Sequence, residues 1–544
     1  MLQIANKFIS KIENVSASLS QILITFTALV TIRVLIENWL NHFKSFSGEY
    51  LFYEWSHLFL SLGLTFLLFL LFFHWTFKIS LFKLLNVLSL GFLIIWTPPL
   101  TDYLVSHFLL NGQKIWSYYE LGSLSQLKND FLTFFSRDYA QGTTYGVCLE
   151  IALAIIFLSI YVGLKRGFLK ALLAFLISYF IFFILGTLPS WPAILVLGWP
   201  SHFLQVTEID VAKFFLTPAQ LFSFPIKNLI TSLSFKMNLW LSVVDFILLI
   251  ILLYQIEKKK FFAWLKNGRW PQIIYHEGLF LLGIALALIF NTVNWWWDFF
   301  NFFALLVAMQ AILLAWWASV TINDIFDKKI DSISNSRRPY IKNIFSKNNL
   351  IALFWFFFFF SSFLGALLSW KILGLLLAYQ SLAWLYSASP LRLKRIPIVA
   401  SFISALASLL ILFIGYILVS PYQNLENLPS ELIILLLVSY TLSLPLKDLK
   451  DIKGDKQDKI WTIPVIFGDY WGRIIIASGI FFSFILSVIV LNEYSLLWWA
   501  ILAGSLSFWV INNKKINPRW LSGYILVIII LYGLIIVKTI SHLF

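Results

Sequence analysis

Apolar runs repeat from one end of the chain to the other, separated by short polar and basic breaks; 18–40, 63–73 and 350–370 are examples. An α-helix needs roughly 20 mostly apolar residues to cross about 30 Å of hydrocarbon, and many of these segments qualify. Inside lipid the backbone has no water to bond to, so each run is predicted to close its hydrogen bonds as a helix. The pattern predicts an all-α, polytopic membrane protein of about fifteen transmembrane helices.

Composition agrees with the pattern. Of 544 residues, 60% are hydrophobic and 12% charged, far from the balance of a soluble domain. The formal charge is +14, from 40 Lys and Arg against 26 Asp and Glu. In a soluble chain that excess suggests nucleic acid. Here most basic residues sit in short loops between apolar runs, where they fix orientation, and no nucleic-acid partner is expected. The single cysteine, Cys148, excludes an intramolecular disulfide and a thiolate metal cluster. Lys7 and Lys11 precede a full-length apolar span, which reads as a retained first helix rather than a cleaved signal peptide.

The basic loops are the N-terminus, Lys78 with Lys83, 164–170, 257–269, 328–347, 392–395 and 447–459, with Lys514, Lys515 and Arg519 beyond. All fit the cytoplasmic side of one alternating path, in a multi-pass protein of the cell membrane. The charged linker 257–269 divides the chain into 1–256, about six spans of unknown function, and 257–544, about nine. In the first part, 98–146 and 188–236 are rich in Pro, Gly, Ser and aromatic residues and predict interfacial or re-entrant pieces. The run Trp295, Trp296, Trp297 and the pair Trp498, Trp499 read as an aromatic belt at headgroup level.

Where the apolar run 299–322 stops, the sequence becomes NDIFDKKID, from Asn323 to Asp331. On a continuing helix Asp324, Asp327 and Asp331 stand at i, i+3 and i+7 and share one narrow face. Three carboxylates on one face repel unless cations lie between them. Mg²⁺ prefers hard oxygen ligands, usually one or two carboxylates with water and phosphate oxygens, so the face suits a metal–diphosphate complex. The same spacing returns in KDLKDIKGD as Asp448, Asp451 and Asp455, predicted on the same side. Candidate phosphate partners are Arg337 and Arg338, Arg392 and Lys394 in YSASPLRLKR, and Lys447. Arg337, Arg395 and Lys459 read by default as orientation signals.

These residues resemble the UbiA superfamily of intramembrane prenyltransferases, whose members carry NDxxDxxxD after the second helix and a second Asp-rich motif after the sixth. Asn323 to Asp331 matches the first motif, and Asp448, Asp451 and Asp455 match the second. The stretch YSASPLRLKRIP, from Tyr386 to Pro397, is similar to the family's YSxPPxRLKR segment, with Ala388 and Ser389 and a single Pro390. The resemblance covers about 262–544 and implies a nine-helix bundle. It implies Mg²⁺ held by Asn323, Asp324, Asp327, Asp448 and Asp451, with Asp331 and Asp455 ligating or positioning. It further implies that Arg338, Tyr386, Arg392, Lys394 and Lys447 bind the diphosphate. The implied reaction moves an isoprenyl group from its diphosphate to a lipophilic or aromatic acceptor within the membrane, among membrane lipids, at a site on the cytoplasmic side. The acceptor and the chain length stay open. The loop SISNSRRPYIKN has the family's Arg-Pro pair without its usual following Gly.

Alternative readings are phosphoribosyl transfer to a polyprenyl phosphate, or a lipid transporter or flippase with a scaffold C-terminal half. Arg33, Glu150 and Asp245 fall in or near apolar spans of the first half, where ionisable groups are costly enough to mark function. The seven histidines show no ligand spacing, and no GxGxxG, P-loop or GxSxG stands in a suitable setting.

Overall fold

The computed structural model describes residues 2–41, 48–113, 115–135, 141–225, 229–291, 296–328, 331–332, 338–457 and 460–541. Arg337, Lys459, Trp295 and His542 lie outside the described residues. The described chain is helical, with strands limited to two-residue bridges such as Trp116–Ser117 beside Gln141–Gly142. Two compact units divide it. One comprises Met1–Ala219, Pro225–Lys258 and Asp298–Phe303, and the other Gln220–Phe224, Lys259–Trp297 and Ala304–Phe544.

Among the described residues, 14 helices are long and apolar enough to cross a membrane, six before residue 257 and eight after it. A further helix, Trp370–Ser387, has 18 residues, about 27 Å at 1.5 Å per residue. Lys371 and Gln380 make it less apolar than its neighbours. Counting it brings the long helices among the described residues to fifteen, nine of them after residue 257.

In the first unit the segment beginning at Pro98 differs from expectation. Pro98 and Pro99 occupy the first turn of Thr97–Phe108, where a missing N–H costs nothing, and the helical run Leu81–Phe108 is long enough to span. The irregular part begins only after it, with short helices Leu124–Thr133, Ser190–Gly198 and Glu208–Leu216. Buried polar groups sit between the long helices. Arg33 is 5% exposed and lies 3.1 Å from Glu37 and 3.7 Å from Glu150. Asn238 donates to Ser56 at 2.8 Å. One heptad further along both helices, Asp245 faces Gly63, and its buried Oδ1 has no hydrogen-bond partner among the described residues.

The second unit is built round Val399–Val419, which crosses Trp270–Phe290 at two glycines. A Cβ on Gly283 would lie 2.0 Å from the Leu412 carbonyl, and one on Gly415 2.0 Å from the Phe280 carbonyl. Only bare backbones fit so closely, a packing mode suited to lipid, where burial of apolar surface drives little. Capping side chains set helix starts: Ser346 exchanges bonds with Asn349, and Ser369 accepts from the Ile372 N–H at 3.2 Å. Trp296, Trp297, Trp498 and Trp499 are all exposed, as a belt requires.

Candidate active site

The helix Phe299–Phe326 is apolar until it reaches Asn323. Beyond its end the helical turn persists, because the Asp327 N–H bonds to Asn323 O and the Asp331 N–H to Asp327 O, each at 2.9 Å. The three carboxylates therefore stay in the expected register and are all buried.

Each meets cations. Asp324 accepts from Arg338 Nη1 at 2.8 Å, Arg269 Nη2 at 2.7 Å and Asn267 Nδ2 at 2.8 Å. Arg338 also bonds to Asp331. Asp327 accepts from Arg392 Nη2 at 2.9 Å and from Lys394 Nζ. Lys394 further reaches Asn323 Oδ1 at 3.4 Å, where Ser387 donates at 3.3 Å. Both Arg392 and Lys394 are buried, and Arg392 holds a left-handed backbone (φ 44°) that brings its guanidinium to the end of the neighbouring helix.

Asn267 and Arg269 are site residues that the sequence motifs miss. They flank Gly268 in the turn between Lys258–Asn267 and Trp270–Phe290. Trp316 Nε1 donates to the Gly268 carbonyl at 3.3 Å, which pins that turn to the Asp-bearing helix. The available signal is Asn-Gly before a Pro-initiated helix, a rigid turn with a cation inside it.

The second motif has a different backbone. Helix Ser430–Ser443 tightens into the 3₁₀ stretch Leu444–Lys450, and Asp455 follows in the short helix Ile452–Gln457. With three residues per turn, Asp448 and Asp451 come nearly eclipsed. The chain bonds along its own backbone here, from the Asp451 N–H to Asp448 O and from the Asp455 N–H to Asp451 O, while among the described residues the three carboxylates enter no ion pair. Lys447 turns instead to Tyr386, 3.0 Å from its hydroxyl and 5.0 Å from the ring centre.

Burial pushes the Asp331 carboxyl up to about 6, with Arg338 opposing and Asp324 and Asp327 reinforcing. Burial together with Asp448 and Asp451 pushes Asp455 up to about 7, and Lys394 and Asp327 also act on it. Charges of the first motif are thus felt at the second. Among the described residues no three carboxylates converge into a ready-made metal cage. The donor set is all oxygen, and the second motif's carboxylates are in no ion pair among the described residues although Lys447, Lys450 and Lys394 lie near enough to act on them; that chemistry fits Mg²⁺ bound together with a phosphate ligand.

The family model described as "UbiA prenyltransferase family" matches residues 278–521, a span that contains both motifs. The chain is 26% identical over 181 residues to digeranylgeranylglyceryl phosphate synthase of Methanobrevibacter smithii, covering 32% of this chain and 62% of that protein. It is 29% identical over 158 residues to chloroplastic chlorophyll synthase of Avena sativa, covering 27% of this chain and 40% of that one. A solved UbiA homologue from Archaeoglobus fulgidus, bound to GPP and Mg²⁺, aligns with 51% of this chain and 99% of its own at a TM-score of 0.40 and 18% identity. Residues 278–521, a little under half of this chain, match the UbiA prenyltransferase family model, and the curated relatives it is similar to are covered over only part of their length.

Proposed function

We infer that this protein transfers an isoprenyl group from an isoprenyl diphosphate to a lipophilic or aromatic acceptor inside the membrane. The observation that carries the reading is a pair of aspartate triads, only the first of which is ion-paired. Asp324, Asp327 and Asp331 lie among Arg269, Arg338 and the buried Arg392 and Lys394, while Asp448, Asp451 and Asp455 form no ion pair among the described residues.

Asn323, Asp324, Asp327, Asp448 and Asp451 would hold Mg²⁺, with Asp331 and Asp455 ligating or positioning. Bound there, the metal supplies positive charge against the leaving diphosphate. Arg338 and Arg392 offer planar forks to diphosphate oxygens, and Lys394 and Lys447 offer point charges. Such groups stabilise charge as it develops on the leaving group, which lowers the barrier to breaking the allylic C–O bond. Tyr386 fixes Lys447 toward the same space. Buried aromatic packing within the unit, such as Trp264 against Phe357, excludes water, which a reactive allylic cation requires.

The test is Mg²⁺-dependent release of diphosphate from isoprenyl diphosphates of increasing length by the purified protein, with a membrane lipid extract as acceptor pool. Asp324→Ala and Asp448→Ala are each expected to lower release by at least about 100-fold. Release that persists in both variants, or that no chain length elicits from the wild type, would overturn the reading.

A further inference from the structure

Outside the aspartate site, the second unit carries a large groove. It lies between Ile463–Val490 and Leu497–Asn512, an antiparallel pair joined through the turn Tyr494–Leu496, and has a volume of about 990 Å³. That is at the upper end of pockets for drug-sized ligands. Arg473 Nη1 donates to the Ile511 carbonyl at 2.8 Å near one end, and Phe481 packs against Gly504 nearer the other. Seven residues of helix separate those levels, about 10 Å of groove.

Chemistry changes along that length. Phe481, Phe482 and Phe508 form the apolar part, with Phe482 65% exposed. At the mouth stand Asn512, Asn513, Lys514 and Lys515. Both lysines are exposed, and among the described residues no Asp or Glu lines the groove. Asp469, the neighbouring acid, is held by Arg473 at 3.0 Å. Exposed Tyr470, Trp471, Trp509 and Trp520 cluster in sequence around the same helix ends, the aromatic signature of headgroup depth.

We propose that this groove binds an anionic phospholipid of the surrounding membrane, with its phosphate at Lys514 and Lys515 and an acyl chain along Phe481, Phe482 and Phe508. Charge complementarity selects the occupant. A zwitterionic lipid brings a cation that the two lysines repel, whereas an anionic headgroup gains from both. The apolar floor distinguishes a lipid from a free phosphate, which would leave it unfilled.

Native mass spectrometry tests this on the full chain, released from bicelles of phosphatidylcholine and phosphatidylglycerol in equal amounts. The wild type is expected to retain phosphatidylglycerol preferentially. Lys514→Gln with Lys515→Gln should reduce that preference by about tenfold or more. Ser505→Trp, which fills the groove and keeps both charges, should reduce retention of the lipid itself. Equal retention of the two lipids by the wild type would overturn the proposal, as would unchanged preference in the double variant. Displacement by glycerol phosphate alone would also overturn it, because the acyl part would then be irrelevant.

Discussion

Asp324 accepts from three donors, and Arg338 is the only one that the sequence motifs identify. A buried carboxylate gains most from charge-assisted bonds, roughly 1.5–3 kcal/mol each. Arg269→Ala is therefore expected to raise the KM for isoprenyl diphosphate between roughly tenfold and hundredfold, and Arg269→Lys to recover only part, since an ammonium lacks the planar fork. Steady-state kinetics of the three proteins decide it. Asp455 carries a pH prediction. Its carboxyl is raised in the folded protein to about 7, so its contribution favours folding at low pH and is lost as pH rises through that value. A divalent cation binds the ionised form and offsets the loss. The rise in unfolding temperature on adding Mg²⁺ should be larger near about pH 8 than near about pH 6, and Asp455→Asn should shrink the difference. The aspartates are legible because their spacing is local, and Arg392 and Lys394, 65 and 67 positions from Asp327, are legible because they stand in a motif of their own. Asn267 and Arg269 belong to no such motif, and only the fold, across 57 and 55 positions, brings them to Asp324.

At the scale of elements, hydrophobic run length made most helices legible, since a bilayer leaves an apolar run few alternatives. It failed where composition and conformation part. Composition predicts an interfacial or re-entrant piece from residue 98, yet a first-turn position accommodates proline, and Thr97–Phe108 continues a helical run long enough to span. The second Asp motif repeats the spacing of the first just past the end of Ser430–Ser443, but there the chain tightens into 3₁₀ geometry at Leu444–Lys450, a change that apolar periodicity does not encode. The glycine crossing was likewise silent, because its meaning depends on which helix lies opposite. Gly283→Ala is expected to destabilise the detergent-solubilised protein by about 1–3 kcal/mol through overpacking. Gly278→Ala, in the same helix with nothing within 4 Å of the added Cβ, should be neutral. Thermal unfolding of the two variants separates close packing from a general effect of substitution.

Over the whole molecule, the aspartate site and the lipid groove both belong to the unit that contains Ala304–Phe544. The other unit has its own buried ionisable groups, and Asp245 is the sharpest case because its Oδ1 has no hydrogen-bond partner among the described residues. If the chemistry resides in the second unit alone, Asp245→Asn should leave diphosphate release within about twofold of wild type, less than the 1.4 kcal/mol of a tenfold change. A loss comparable to that of Asp324→Ala would show instead that the two units work as one machine. The crossing of Gly283 and Gly415 also governs how the site can move. Two helices in backbone contact have no layer of side chains to slide on, and a shift by one residue would drive a Cβ into a carbonyl. They form a fixed axle for the bundle. Any rearrangement of the aspartate site then has to come from the segments around that crossing, among them the turn that carries Arg392 and Lys394.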